Sequence, residues 1–274
     1  MKIAVIGSGI AGQAVGTALS KHDNSIIFVD VIKAALQPLQ TKGYTTELAD
    51  TYTKINTDIT MFCVPASQLE KAVRSFAARL KNHNKYHTIV ICSSIVPNTS
   101  RKKILPLIES LSGKKAAIDF GIVVQPLYAR SETINPDSAR PWFILIGELD
   151  KKSGDTIARL YTKFDAPLER MSLEEAEFQK YVHNMFNATK ISFFNELRVI
   201  AVKEGWNDTA IFEAVAESSE AIWNPLYGIH DKGGFSGTGI EADAETLVDW
   251  AQANQYGVGI IKAVLAANKG THRD

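Results

Sequence analysis

The sequence predicts an α/β fold, in which a mostly parallel sheet covered by helices is followed by a long central helix and a small all-helical domain. Three observations predict it. Up to about residue 170, short β-rich runs alternate with amphipathic stretches. Beyond that point strand signals stop, and the run from Leu173 to Glu204 contains neither Gly nor Pro. Between the first strand and the first helix stands Gly-x-Gly-x-x-Gly. The domains so drawn are residues 1–171 and 172–274.

Strands are expected at Lys2–Ile6, Ser25–Asp30, Thr45–Leu48, Ile59–Val64, Thr88–Ser93, Ala117–Val123 and Trp142–Ile146. Amphipathic helices are expected at Ile10–Lys21, Ile32–Lys42, Gln68–Lys81 and Ser100–Leu111. Ser172, three residues before Glu175, forms a capping-box pattern that starts the central helix. That helix is apolar around much of its circumference, so it is expected to be buried between two bodies of protein. Shorter helices follow at Asp208–Ile222, Asp243–Asn254 and Val258–Asn268, with a Gly-rich connection from Tyr227 to Gly239.

The glycine motif reads Gly7-Ser8-Gly9-Ile10-Ala11-Gly12. Gly7 permits a tight turn, Gly9 leaves room for a pyrophosphate, and Gly12 lets the helix pack closely. The helix N-terminus offers free N–H groups to phosphate oxygens. The second strand ends on Asp30, eighteen residues after Gly12. A carboxylate there accepts hydrogen bonds from ribose hydroxyls and repels a 2′-phosphate. Val31 and Ile32 follow, with no Arg to receive one, so this Rossmann-type domain is expected to take NAD rather than NADP.

Glu177, Lys180, Asn184 and Asn187 are spaced three, four and three apart on the central helix, hence share a face. Lysine and asparagine on a largely apolar helix need partners or a cleft. Oxidation of an alcohol creates an alkoxide beside a nicotinamide. Lys180 can take the proton or stabilise that anion, and Asn184 can orient the oxygen.

The run from Glu175 through Lys180, Asn184 and Lys190-Ile191-Ser192-Phe193-Phe194-Asn195-Glu196-Leu197 resembles the central helix of UDP-glucose/GDP-mannose dehydrogenases. Ser94-Ile95-Val96-Pro97 resembles that family's Ser-Thr-Val-Pro segment, and Val64-Pro65 follows the fourth strand as it does there. Gly234-Phe235-Ser236-Gly237-Thr238-Gly239 is similar to its Gly-rich loop. The resemblance covers nearly the whole chain. It implies that Lys180 and Asn184 act on the reacting oxygen, that Ser94 contacts the nicotinamide or substrate, and that Val64 and Pro65 border the cofactor. It also implies a homodimer paired through the middle domain.

The departures narrow the chemistry. Where the family has Cys and, three residues later, Lys-Asp, this chain reads Gly239, Ala242 and Asp243. The family uses that thiol to hold an aldehyde between two hydride transfers. Its Thr is Ile95 here, and its Phe-Leu-Arg-Glu-Gly reads Tyr128-Ala129-Arg130-Ser131-Glu132, with Glu132 the nearest acid to the lost position. The chain also ends near the close of the middle domain. Arg130, His230 and Lys232 are either phosphate or carboxylate contacts or exposed loop charges.

Thirty basic residues balance thirty acidic ones among 274, which excludes a general field for nucleic acid or anionic membranes. No membrane helix or signal peptide is expected, nor a metal site. Cys63 and Cys92 lie in strand-like runs and are expected to fill the core, in a reducing cytoplasm. Three functional readings follow. The first is an NAD-dependent oxidoreductase making one two-electron transfer on an alcohol or carbonyl. The second is a diverged nucleotide-sugar dehydrogenase for polysaccharide precursors, and the third a catalytically silent NAD-binding sensor or scaffold. In each, the partner is a small molecule, either phosphorylated or a sugar nucleotide.

Overall fold

Apolar side chains at every position from Ile3 to Ile6 make β1 (Lys2–Ile6) a strand buried on both faces. The computed structural model describes residues 1–128, 133–225, 227, 234–235 and 240–269. After β1 the chain runs α1 (Ile10–Ser20), β2 (Ser25–Asp30), α2 (Lys33–Thr41), β3 (Thr45–Leu48), β4 (Ile59–Phe62), α3 (Ala66–Leu80) and β5 (His87–Ile91). A π-helical turn at Ser100–Ile104 leads into α4 (Leu105–Ser112). Then come β6 (Phe120–Val124), α5 (Ile134–Ala139), β7 (Ile144–Glu148), α6 (Lys151–Leu160) and β8 (Leu168–Ser172).

The strands form one sheet in the order β3-β2-β1-β4-β5-β6-β7-β8. All neighbours are parallel except β6 and β7. Strand order reverses between β1 and β4, which is where doubly wound sheets open a crevice at their carboxyl ends. Each face has its own core. Phe62, Phe76, Ile91 and Phe120 belong to one, and Val5, Leu19, Phe28 and Met61 to the other.

Residues Lys2–Ile6, Ser25–Asp30 and Thr45–Leu48 are strands as the sequence predicts, and the other expected strands shift by one to three residues. β8 is unpredicted. It is an edge strand of sequence LERMS, too charged to show an apolar period. Its Arg170 bridges Glu148 at 2.5 Å and Asp155 at 2.6 Å, which gives the strand a polar reason to stay in register.

The capping box is present where α7 (Leu173–Lys203) begins. Ser172 N–H and Oγ–H donate to Glu175 Oε2 at 2.8 and 2.7 Å, and Glu175 N–H donates to Ser172 Oγ at 3.3 Å. The expectation that this helix is buried is not met. Phe178, Met185, Phe186, Ile191 and Val202 are each more than half exposed. An apolar period reports a face that avoids water; it does not say whether the same chain covers it.

The chain divides into two compact units, Met1–Val182 and His183–Asp274. In the second, α8 (Asp208–Ser218), α9 (Glu220–Trp223), α10 (Ile240–Ala253) and α11 (Gly259–Lys269) follow the latter part of α7. Its small core joins Ile200, Ala251, Val258 and Ile261, and Trp250 stacks between Trp206 and Tyr256. Among the described residues no helix is long and apolar enough to cross a membrane.

Candidate active site

At the carboxyl end of β1 the chain turns through Gly7, whose φ of +93° is a conformation side chains rarely adopt. A Cβ there would meet the Cys63 carbonyl oxygen at 2.7 Å, and one on Gly12 would meet the Gly7 carbonyl oxygen at 1.9 Å. The protein's own packing therefore demands both glycines. Gly9 differs: its φ is −70°, and a Cβ on it would meet nothing within 4 Å. Among the described residues, no contact calls for a glycine there.

Ser8 is fully buried and turned inward, its Oγ on the Val29 carbonyl at 3.3 Å. Its N–H donates to Asp30 Oδ2 at 2.6 Å, while Ile32 N–H donates to Asp30 Oδ1 at 2.8 Å. The carboxylate is thus fixed by backbone, and each oxygen retains acceptor capacity for a further donor. Around it Ile10, Val31 and Ile32 are 73%, 78% and 59% exposed. Ala11 is half-buried in the first turn of α1. Gln13 was not anticipated. Its Nε2 donates to Ser8 O at 2.8 Å and Ala35 O at 3.3 Å, lacing the loop to α2. A glutamine one residue past a glycine motif carries no signal that would single it out.

The ends of β4 and β5 are tied together by Ser93 Oγ, which donates to Val64 O at 2.5 Å. Val64 is half-buried and Pro65, exposed, caps α3. Ser94 is exposed, whereas Ile95 is buried in the core beside it. The segment is held from α7. Glu177 Oε1 accepts from Ser100 N–H at 2.8 Å, and Glu174 forms an ion pair with Arg101. Both carboxylates sit at the start of the π-turn and α4, where a helix favours negative charge. Glu177 is thus a buried cap and not part of a solvated stripe.

Lys180 lies in the same unit, half-buried. Its Nζ donates to the Leu127 carbonyl at 2.8 Å and stands 4.7 Å from the centre of the Tyr128 ring. Tyr128 in turn donates from its hydroxyl to Gln179 Oε1. Leu127 follows β6, so the ammonium is anchored on the same edge of the sheet as the ends of β1, β4 and β5. Burial lowers the Lys180 pKa from its ordinary value. A desolvated amine of this kind exchanges a proton more readily near neutral pH than a surface lysine. Asn184 is exposed and belongs to the second unit, as does Asn187, whose Nδ2 lies 3.2 Å from His183 Nε2.

Residues 44–165 match the UDP-glucose/GDP-mannose dehydrogenase family NAD binding domain, and residues 174–270 match that family's central domain. The chain belongs to the UDP-glucose/GDP-mannose dehydrogenase family. It is 29% identical to GDP-mannose 6-dehydrogenase of Pseudomonas syringae pv. tomato, over 98% of this chain and 68% of that one. With the Azotobacter vinelandii enzyme of the same name it shares 28% over the same fractions. The crystal structure of a ternary complex of GDP-mannose dehydrogenase from Pseudomonas aeruginosa superposes with a TM-score of 0.91 at 25% identity. That match covers 99% of this chain and 69% of the other. The family's members are NAD-dependent dehydrogenases acting on CH–OH groups, and this member is an NAD-dependent oxidoreductase.

Several positions singled out in the sequence fall outside the described residues: Arg130, Ser131 and Glu132, His230 and Lys232, and Gly239. Ala242 and Asp243 lie in the first turn of α10. The second unit holds a groove of about 590 Å³ lined by Asn187, Lys190, Phe194, Asn195, Arg198 and Phe212, among others. Arg198 there pairs with Asp208 at 3.0 Å.

Proposed function

We propose that this protein oxidises one CH–OH group of a sugar nucleotide, or reduces the matching carbonyl, in a single two-electron step. The observation that carries the reading is Lys180, an amine half-removed from water whose bonded partner in the fold is the Leu127 carbonyl. Bound NAD supplies the hydride acceptor. The neutral amine takes the proton released as the substrate oxygen becomes a carbonyl oxygen, and the ammonium so formed faces that oxygen. Asn184, one helical turn on, orients it, and Ser94 contacts the substrate or the nicotinamide.

In this reading the Gly7–Gly12 loop and the start of α1 would hold NAD, with Gly9 and the free N–H groups of α1 serving its pyrophosphate. The open space beside Gly9 among the described residues supports that placement, because it leaves the backbone accessible to a pyrophosphate. Asp30 would hold the ribose hydroxyls with the lone pairs its backbone donors leave free, and Val64 and Pro65 would border the cofactor. The two glycines make separable predictions. Gly9→Ala keeps the melting temperature within about 2 °C and weakens NADH binding by roughly tenfold or more. Gly12→Ala lowers the melting temperature by many degrees, because its methyl collides with a backbone oxygen. Fluorescence titration and thermal melts read the two effects.

The limit to one step rests on Gly239 standing where the family has its Cys. The sugar-nucleotide class comes from relatives named as GDP-mannose 6-dehydrogenases. Incubation with NAD and a panel of UDP- and GDP-sugars is expected to yield one NADH per substrate consumed, with an aldehyde that a hydrazine traps. Two NADH per substrate and a carboxylate product would overturn the single step. The exposed Phe178, Met185 and Phe186 support a homodimer, for which light scattering should give twice the chain mass of 30.1 kDa.

A further inference from the structure

Cys63 and Cys92 are the two cysteines of the chain, and the sheet brings them together. β4 and β5 run parallel with Met61 opposite Val90 and Phe62 opposite Ile91, so the next ladder position sets Cys63 against Cys92. Both strands keep their hydrogen bonds through these residues: Cys63 N–H donates to Ile6 O at 2.8 Å and Cys92 N–H to Phe62 O at 3.0 Å. Both side chains pack in the same core cluster. Adjacent strands stand about 4.8 Å apart, inside the span a disulfide bridges. Cys63 is half-buried and Cys92 buried, with Tyr161 packed close to both.

The pair sits directly behind the glycine loop. The Cys63 carbonyl lies 2.7 Å from where a Gly7 Cβ would be, and its own Cβ lies 3.3 Å from where a Gly12 Cβ would be. Cys63 is therefore packed close against the backbone of the loop.

We propose that Cys63 and Cys92 form a reversible dithiol–disulfide pair that lowers the protein's hold on NAD when oxidised. This rests on the placement of NAD over Gly7–Gly12 proposed above. The oxidant is a hydroperoxide. The more accessible Cys63 sulfur attacks the peroxide oxygen; the O–O bond breaks, a sulfenic acid forms and water leaves. The Cys92 sulfur then displaces hydroxide from that sulfenic sulfur and gives up its proton, so that an S–S bond forms and a second water leaves. Two thiols and one hydrogen peroxide thus become one disulfide and two waters, and a dithiol reductant reverses the change. The neighbouring Cys63, and then burial, raise the Cys92 pKa. Drawing the two sulfurs to a bond of about 2.05 Å pulls Cys63 toward Cys92, and the loop packed against it shifts with it.

The test treats the whole protein with hydrogen peroxide, then blocks free thiols with iodoacetamide and maps peptides by mass. The expected product is one Cys63–Cys92 cross-linked peptide, 2 Da lighter than the two thiol peptides together, which dithiothreitol reverses. In parallel, NADH titration should show affinity in the oxidised protein lower by roughly tenfold, restored on reduction. Cys63→Ala and Cys92→Ala should each abolish the cross-link and the peroxide effect. Peroxide that drives Cys63 to sulfinic acid with Cys92 still alkylated would overturn the pairing. An intact disulfide with unchanged NADH affinity would overturn the control of NAD. Failure of the reduced protein to bind NADH would instead count against the underlying cofactor placement, and the peptide map would still decide the pairing.

Discussion

Replacing Lys180 by Met is expected to lower kcat by about 10²–10⁴-fold while leaving NADH affinity within about twofold. The asymmetry follows from the geometry. Lys180 contacts Leu127 and Tyr128 beyond the end of β6, whereas the glycine loop and Asp30 are held by contacts of their own. Burial lowers the Lys180 pKa, so the neutral amine is populated at lower pH than for a surface lysine. A general base works only when neutral, hence kcat/KM should rise with pH through that lowered value, and Lys180→Met should flatten the rise. Lys180→Arg separates base from fixed cation, because a guanidinium stays charged. If Arg restores activity to within about tenfold of the native protein, the amine stabilises charge and does not take a proton. A native protein that binds NADH yet turns over no sugar nucleotide, with Lys180→Ala indistinguishable from it, would leave a cofactor-binding sensor or scaffold.

What the sequence makes legible depends on whether a residue's reason lies nearby in the chain. β1 and β2 are readable because they are written as near-continuous apolar runs bounded by turns, and β3 because its β-branched threonines stand between two turns. The capping box of Ser172 and Glu175 spans only three residues and is equally legible. β8 is not, since an edge strand needs little apolar surface and takes its register from Arg170 reaching Glu148 and Asp155. Glu177 shows the same limit within the site. Helical spacing puts it on a face with Lys180, but its partner is the Ser100 amide, seventy-seven residues away. The Cys63–Cys92 pair becomes visible only once β4 and β5 are known to be neighbours in a fixed register. Gly9 is the reverse case, a residue whose purpose the sequence motif states and whose purpose no contact among the described residues supplies.

Stability is expected to fall by up to about 5 kcal/mol between pH 6.5 and 3, beginning well above the range in which carboxylates titrate. The cause is His87, which lies in β5 with no exposed surface, its Nε2 2.9 Å from Thr60 Oγ1 and its ring against Phe76 and His83. Burial pushes its pKa down to about 3, and proximity to His83 acts in the same direction. The sign follows from proton counting. Between the two pKa values the unfolded chain carries a proton on this imidazole that the folded chain refuses, so acid favours unfolding. The stabilisation is complete above pH 6.5 and is lost as pH falls toward 3. Urea melts across that interval should show a steady loss from pH 6.5 downward. His87→Leu removes the titrating group and strands the Thr60 hydroxyl, so its stability at pH 7.5 should be lower by about 1–3 kcal/mol. Its slope between pH 6.5 and 4.5 should nevertheless be much flatter than that of the native protein. An unchanged slope in His87→Leu would assign the acid sensitivity to other groups. A flattened one would show that a histidine at the amino end of β5, remote in the strand from the Cys92 end, sets how far the cofactor domain tolerates acid.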